Sequence, residues 1–378
     1  MLVSIVIALV VLVAGAAAFA WYRLRNLPDT RDLARRIDEA VTAELEAADL
    51  GTVAVAVYRD GQMYVRRYGA DAGAPGDTVR FEIGSITKVF TVLAAQRLVS
   101  EGRFRWTDPI WPLLPPEQRP PTDDGTTFEM LATHTSGLPR LPESWFARLD
   151  ASPDPYAALS ASDVFAVYAS GEGRTPWPKA TADYSNLGLG LLGHLLERHT
   201  GESYDALMQR LLLAPLRMEQ TTIILDSAVA HQLVPARDEQ GAPASPWTFG
   251  ALAGAGAYRS TIEDMAAFLR AAIERTPVPG LDWDSTWALR RSAGGDKVAL
   301  GWQVDRLSLR LGGIDQLVWH NGGTGGFSSY LGFDPTRRIG VVVLAARSNA
   351  DVVDGLGMEL LLAASHTSFG ASPERPAP

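Results

Sequence analysis

Residues 2–20 are apolar apart from Ser4, and Trp21, Tyr22, Arg23 and Arg25 follow directly. A helix needs about 20 such residues to span a ~30 Å hydrocarbon core. Aromatic residues followed by arginines also suit an interfacial anchor. Residues 1–26 are therefore expected to form an N-terminal transmembrane anchor or a signal segment. Ala18-Phe19-Ala20 would be the small-x-small cleavage site in the second case. The absence of Lys or Arg ahead of the apolar run favours the uncleaved anchor. The arginines behind it point the rest of the chain toward the cytoplasm, so charge alone leaves the orientation open.

Beyond this segment, residues 29–50 repeat apolar positions at helical spacing and stop at Gly51. Residues 52–59 and 63–68 alternate around Asp60-Gly61, which predicts a hairpin. Residues 85–101 read as an apolar helix closed by Gly102. The stretch 128–276 is mostly helical with Pro- and Gly-rich breaks. Strand-like runs then return at 298–305, 317–320, 327–333 and 339–346. A last helix covers 352–364, and 367–378 reads as a disordered tail. Strands, then helices, then strands imply an α+β fold. Its antiparallel sheet is built from both chain ends and flanked by helices, with a mostly helical lobe inserted at about 103–276.

Composition narrows the chemistry. The 378 residues carry 43 acidic and 34 basic side chains, a formal charge of −9, and no cysteine. An acidic balance without a basic run argues against a nucleic-acid partner. Zero cysteines exclude a disulfide framework, thiolate catalysis and Cys-ligated metal. There is no His-Glu-x-x-His spacing, phosphate loop, dinucleotide fingerprint or Gly-x-Ser-x-Gly elbow, so metal-free and cofactor-free chemistry is expected. Of the 34 basic residues only Lys88, Lys179 and Lys297 are lysine.

Three constellations remain. In Gly84-Ser85-Ile86-Thr87-Lys88, the serine and lysine sit one helical turn apart. A cation near a helix N-terminus opposes the macrodipole, and the apolar sequence after it predicts burial. Both effects lower a lysine pKa toward that of a general base, a role arginine cannot fill. Tyr184-Ser185-Asn186 precedes a helix that stops at Gly201. It reads either as an N-cap or as a proton-shuttling phenol beside an orienting amide. His320-Asn321-Gly322-Gly323 ends a strand-like run, as a glycine turn or as a close-approach edge with free N–H groups. His134 is expected where a helix stops, broken by Gly137 and Pro139. Residues 141–180 form either an aromatic-rich part of the lobe or a wall that selects acyl groups.

In this order, the three motifs resemble the serine β-lactamase and penicillin-binding-protein superfamily, over about residues 52–349. They resemble most the class C β-lactamase-related branch, with its D-alanyl-D-alanine carboxypeptidase and esterase-like members. Leu131-Ala132-Thr133-His134-Thr135-Ser136-Gly137-Leu138-Pro139, Leu191-Leu192-Gly193 and Ala214-Pro215-Leu216-Arg217-Met218 add to the likeness. The resemblance implies a β-lactamase/transpeptidase-like fold and an acyl-enzyme on Ser85. It makes Lys88 the proton acceptor and Tyr184 the relay to the leaving group. Asn186 would position Lys88 or the substrate amide, and His320 and Gly322 would line the substrate. The N–H groups of Ser85 and Gly323 would form an oxyanion hole.

Class C β-lactamases have lysine where this chain has His320, so a D,D-peptidase or esterase is expected ahead of a dedicated β-lactamase. The substrate would be a small molecule or a peptidoglycan peptide. The catalytic domain would lie outside the membrane, on its N-terminal anchor. The competing expectation is a membrane-anchored penicillin-binding sensor or binding module that is acylated, or merely binds, without turnover.

Overall fold

The computed structural model describes residues 32–74, 76–146, 152–175, 182–291, 297–305 and 313–369. The expected anchor or signal segment lies outside them, as do Lys179 and residues 370–378. Among the described residues no helix is long and apolar enough to cross a membrane.

Helix α1 (Leu33–Ala48) starts where the Asp32 carboxylate accepts the Arg35 N–H at 3.1 Å. Strands β1 (Val53–Arg59) and β2 (Gln62–Tyr68) follow as the predicted hairpin. Asp60 and Gly61 both have positive φ, 48° and 88°, as the two central residues of a tight turn of matching twist require. The remaining strands are β3 (Phe81–Glu82), β4 (Arg259–Ser260), β5 (Arg290–Arg291), β6 (Lys297–Val298), β7 (Gln303–Asp305), β8 (Leu317–Gly323), β9 (Ser328–Asp334) and β10 (Ile339–Ala345). The main sheet runs β2-β1-β10-β9-β8-β7, and every pairing is antiparallel. The two chain ends meet where β1 pairs β10, from Val53 opposite Ala345 to Arg59 opposite Ile339.

Six of the seven β1 residues are buried, so the strand alternates between two cores rather than between core and water. Ala54, Ala56 and Tyr58 join Val342 and Leu344 in one core. Val53, Val55 and Val57 join Val341 and Val343 in the other. α1 and α7 (Ala350–His366) close the second face. α6 (Ile262–Glu274) closes the first, at the C-terminal end of the stretch expected to form the lobe. The lobe itself holds α3 (Phe128–Ala132), α4 (Ala161–Ser170) and α5 (Asn186–Thr200). Between lobe and sheet lies α2 (Thr87–Ser100), buried on all sides from Thr87 to Leu98.

Two expectations need correction. The run 298–305 is not one strand: β6 and β7 are split at Gly301, whose φ is +71°. Its N–H donates to the Ala132 carbonyl at 3.0 Å instead of to a strand neighbour. The tail does not begin at Thr367. That side chain is 1% exposed and its hydroxyl accepts from the Arg36 guanidinium at 2.9 Å. The Ser368 carbonyl accepts the Leu33 N–H, and Phe369 stacks on Tyr64 at 6.3 Å between ring centroids. A buried arginine and an open helix N-terminus on α1 supply partners that composition cannot reveal.

Candidate active site

Ser85 sits in the 3₁₀ turn Gly84–Ile86, between β3 and α2. β3 is fixed by pairing with β4, and the Ile83 N–H donates to the Tyr258 carbonyl at 3.0 Å. The Ile83 carbonyl accepts the Ser329 hydroxyl of β9 at 2.9 Å. The N-cap position of α2 is Ile86 and makes no side-chain cap bond, so the Ser85 hydroxyl does no capping.

That hydroxyl instead meets the Lys88 amine, with Nζ 2.8 Å from Oγ. Lys88 is 0% exposed, and its Nζ also donates to the Ala255 carbonyl at 2.6 Å. Among the described residues no carboxylate lies in ion-pair contact with it. Burial, reinforced by the Arg140 charge, holds its pKa well below the usual lysine value.

Tyr184 is positioned by the residue after it. The Ser185 hydroxyl caps α5 by accepting the Gly188 N–H at 2.8 Å, and donates to the Pro139 carbonyl at 2.7 Å. The Tyr184 ring then lies 4.8 Å from Lys88 Nζ and 5.2 Å from the Arg140 guanidinium. The His134 ring is 4.7 Å away and the His320 ring 6.1 Å. Burial pushes the phenol up to about 12, against opposing effects of a Ser85 hydrogen bond and the Arg140 charge. At neutral pH it therefore keeps its proton.

His320, on β8, is 2% exposed. Its Nδ1 donates to the Asn321 carbonyl at 2.6 Å, which leaves Nε2 as an acceptor. Nε2 is buried without a hydrogen-bond partner. Burial first, then the Lys88 charge, lowers the ring to about 3. The imidazole is thus neutral far below its reference pKa, which strengthens the contrast with a lysine in that place. His134 does follow a helix end, at φ +59°, but it also belongs to the site. Its Nδ1 accepts the Ser185 N–H at 3.1 Å, and burial lowers it to about 3 as well.

Gly322 and Gly323 let β8 touch the Ser85 turn. A Cβ on Gly322 would stand 2.9 Å from the Ser85 nitrogen and closer still to the Ile83 carbonyl. A Cβ on Gly84 would stand 2.7 Å from the Gly323 nitrogen. Gly322→Ala is therefore expected to destabilise the fold by about 1–3 kcal/mol through overpacking. It should also spread the Ser85 turn from β8. Thermal unfolding read beside acylation rate checks this, and an unchanged midpoint with unchanged rate would contradict it.

Asn186 is buried. Its backbone N–H donates to the Arg140 carbonyl at 3.1 Å, and its side chain hydrogen-bonds the Tyr156 hydroxyl. The amide Oδ1 has no partner. Tyr156 stacks on Phe249 at 4.9 Å and meets Trp247 edge-on at 5.4 Å. This part of 141–180 is thus an aromatic wall beside Asn186. Two further features complete the surroundings. β7 ends opposite Trp319, so among the described residues the edge of β8 from His320 to Gly323 has no strand beyond it. A cleft of about 210 Å³ opens beside Tyr184 and His134, lined also by Thr133, Lys297, Trp302 and Gln303. Among the described residues no group of three His, Asp or Glu side chains could hold a metal ion.

Ser85, Lys88, Tyr184, His320, Gly322 and Gly323 thus lie close together, and Asn186 begins α5 two residues after Tyr184. His134, Arg140 and Tyr156 were not foreseen there. His134 carried a signal in its Thr-Ser-Gly neighbours and Tyr156 one in the aromatic stretch 141–180, whereas Arg140 carried none.

A protein-family model described as Beta-lactamase matches residues 37–364. The D-alanyl-D-alanine-carboxypeptidase/endopeptidase AmpH of Escherichia coli (strain K12) is 28% identical over 326 residues, covering 78% of this chain and 79% of that protein. A beta-lactamase of the same strain is 26% identical over 354 residues, covering 82% and 88%. Two solved structures share the fold, each with a TM-score of 0.71. One is a beta-lactamase/D-alanine carboxypeptidase from Pseudomonas syringae, 20% identical over 87% of this chain and 98% of its own. The other is a class C beta lactamase from Rhodobacter sphaeroides, 22% identical over 86% and 98%. A serine–lysine pair at the start of a buried helix beside a sheet built from both chain ends, and a family match over most of the chain, lead to one conclusion: this chain belongs to the Beta-lactamase family of serine hydrolases.

Proposed function

We propose that the chain hydrolyses acyl substrates through an acyl-enzyme on Ser85, with Lys88 and Tyr184 as its proton-transfer groups. The carrying observation is the fully buried Lys88 amine, 2.8 Å from Ser85 Oγ. As the free amine, Lys88 takes the hydroxyl proton while Oγ attacks the carbonyl carbon. The N–H groups of Ser85 and Gly323 are the proposed donors to the resulting oxyanion; losing one such donor typically costs ~10²–10³ in rate. Tyr184 keeps its proton at neutral pH and so can hand it to the leaving group, recovering it from Lys88. Water then releases the acyl group by the reverse transfers. An extended substrate would pair with the open edge of β8, where the unpartnered His320 Nε2 can accept a substrate N–H. Asn186, beside Tyr156, would face the substrate amide.

The substrate class follows from what His320 lacks. A neutral imidazole supplies no fixed charge for a β-lactam carboxylate, so a D-Ala-D-Ala-type peptidase or an esterase is favoured over dedicated antibiotic destruction. The name of the Escherichia coli relative AmpH points the same way. Because peptidoglycan peptides lie outside the cytoplasmic membrane, we assign the catalytic domain to the extracytoplasmic side, anchored or exported by residues 1–26. No cofactor is called for.

Incubation with a labelled penicillin, a D-Ala-D-Ala peptide and a p-nitrophenyl ester tests the proposal by intact-protein mass spectrometry. One acyl mass on the Ser85 peptide with penicillin, and multiple turnover of the peptide or ester, is the expected result. Acylation elsewhere, or none with any of the three, would refute it. A permanent adduct with every substrate would instead favour the non-turnover sensor.

A further inference from the structure

We propose that the cleft beside Tyr184 receives the leaving group, and that Lys297 binds a carboxylate carried on it. The inference rests on the acyl-enzyme reading above and extends it to the part of the substrate that departs. If Tyr184 gives its proton to the leaving atom, the leaving group must lie against the phenol when the bond to the carbonyl carbon breaks. The ~210 Å³ cleft has Tyr184 among its lining residues, with room for a group of about amino-acid size.

The charge in that cleft is one-sided. Its described lining contains no aspartate or glutamate, and Lys297 is its one side chain with a full charge. His134 is held neutral by burial and so adds none. Lys297 lies on β6, is exposed, and makes no ion pair or side-chain hydrogen bond among the described residues. A lone ammonium among described lining residues that include no acid selects an anion. Gln303, on β7 and in the same lining, offers an amide that can donate to a second carboxylate oxygen. The ligand class is therefore a leaving group with a free carboxylate, such as a C-terminal amino acid. The neutral His320 does not provide this charge, and Lys297 supplies it from a different strand.

Two matched esters of one acyl group, phenyl and 3-carboxyphenyl, isolate the effect, because they differ only in the carboxylate on the leaving group. Wild type should prefer the 3-carboxyphenyl ester in kcat/KM. In Lys297→Met this preference should fall about tenfold, mainly through KM, as expected for one charge-assisted contact. Lys297→Glu should reverse it, and Lys297→Arg should restore most of it. No preference in wild type, or a ratio that survives Lys297→Met within about twofold, would overturn the inference. Ser85→Ala run alongside separates the two levels. Turnover that persists in that variant would overturn the acyl-enzyme reading and this inference together, whereas Ser85-dependent turnover with an unchanged ratio overturns the cleft assignment alone.

Discussion

Ser85→Ala is expected to lower turnover of every accepted ester or peptide by about 10⁴–10⁶-fold, and to abolish the acyl mass on the protein. The loss should be this large because the Ser85 hydroxyl is the group that forms the new bond, and nothing nearby can replace it. His134 and His320 are neutral well above pH 3, but the hydrogen bonds of their rings go to the Ser185 N–H and the Asn321 carbonyl rather than to the Ser85 hydroxyl. The fold should survive, since Ser85 caps no helix and its hydroxyl bonds only Lys88 and Tyr184 within the site. Thermal unfolding close to wild type, together with loss of the burst phase, is the expected pair of results. Residual turnover above about one part in a hundred would mean that another group is the nucleophile.

Lys88→Arg and Lys88→Met should each cost about 10²–10⁴-fold, the usual range for removing a general base. Arginine keeps the charge yet does not deprotonate in proteins. Methionine approximates the shape but cannot accept a proton, and leaves the Ala255 carbonyl unpaired for about 1 kcal/mol. If the two groups act as a unit, Ser85→Ala combined with Lys88→Met should be hardly worse than Ser85→Ala alone. The pH profile adds a second readout. Only the free amine can act as base, so kcat/KM should rise with pH through the Lys88 pKa and then level off. Because burial and Arg140 lower that pKa, the plateau should begin well below the range of an ordinary lysine. Tyr184, pushed up to about 12, should cause no fall below that pH. A rate still climbing at pH 10 would show that Lys88 is not the base. A rising limb that survives in Lys88→Met would assign it to another group.

Much of the fold was legible because its signals are local. Asp60-Gly61 closes a hairpin through two positive φ values, and Gly102 ends α2 with a third. The failures were non-local. β6 and β7 were read as one strand because Gly301 was judged against its neighbours, although its N–H is claimed by Ala132 of the lobe. Thr367 was assigned to a disordered tail because its partner, Arg36, lies at the opposite end of the chain. The site divides in the same way. Ser85 and Lys88 could be paired from a three-residue spacing on one helix turn, and lysine scarcity sharpened the choice. Nothing in the sequence near Arg140 or Tyr156 says that one faces the Tyr184 ring and the other pairs with Asn186.

By itself, the sequence determined the hairpin, the helix that carries the serine–lysine pair, and a nucleophile other than cysteine. Each of these depends on residue type and on spacing within one turn or strand. The tertiary structure decided whether the lysine is buried, which charges lie against it, that His320 is neutral, and where a cleft opens beside Tyr184. Those are sums over groups far apart in the chain. Desolvation and Coulomb interaction act through space, and only the folded packing sets the distances on which they depend.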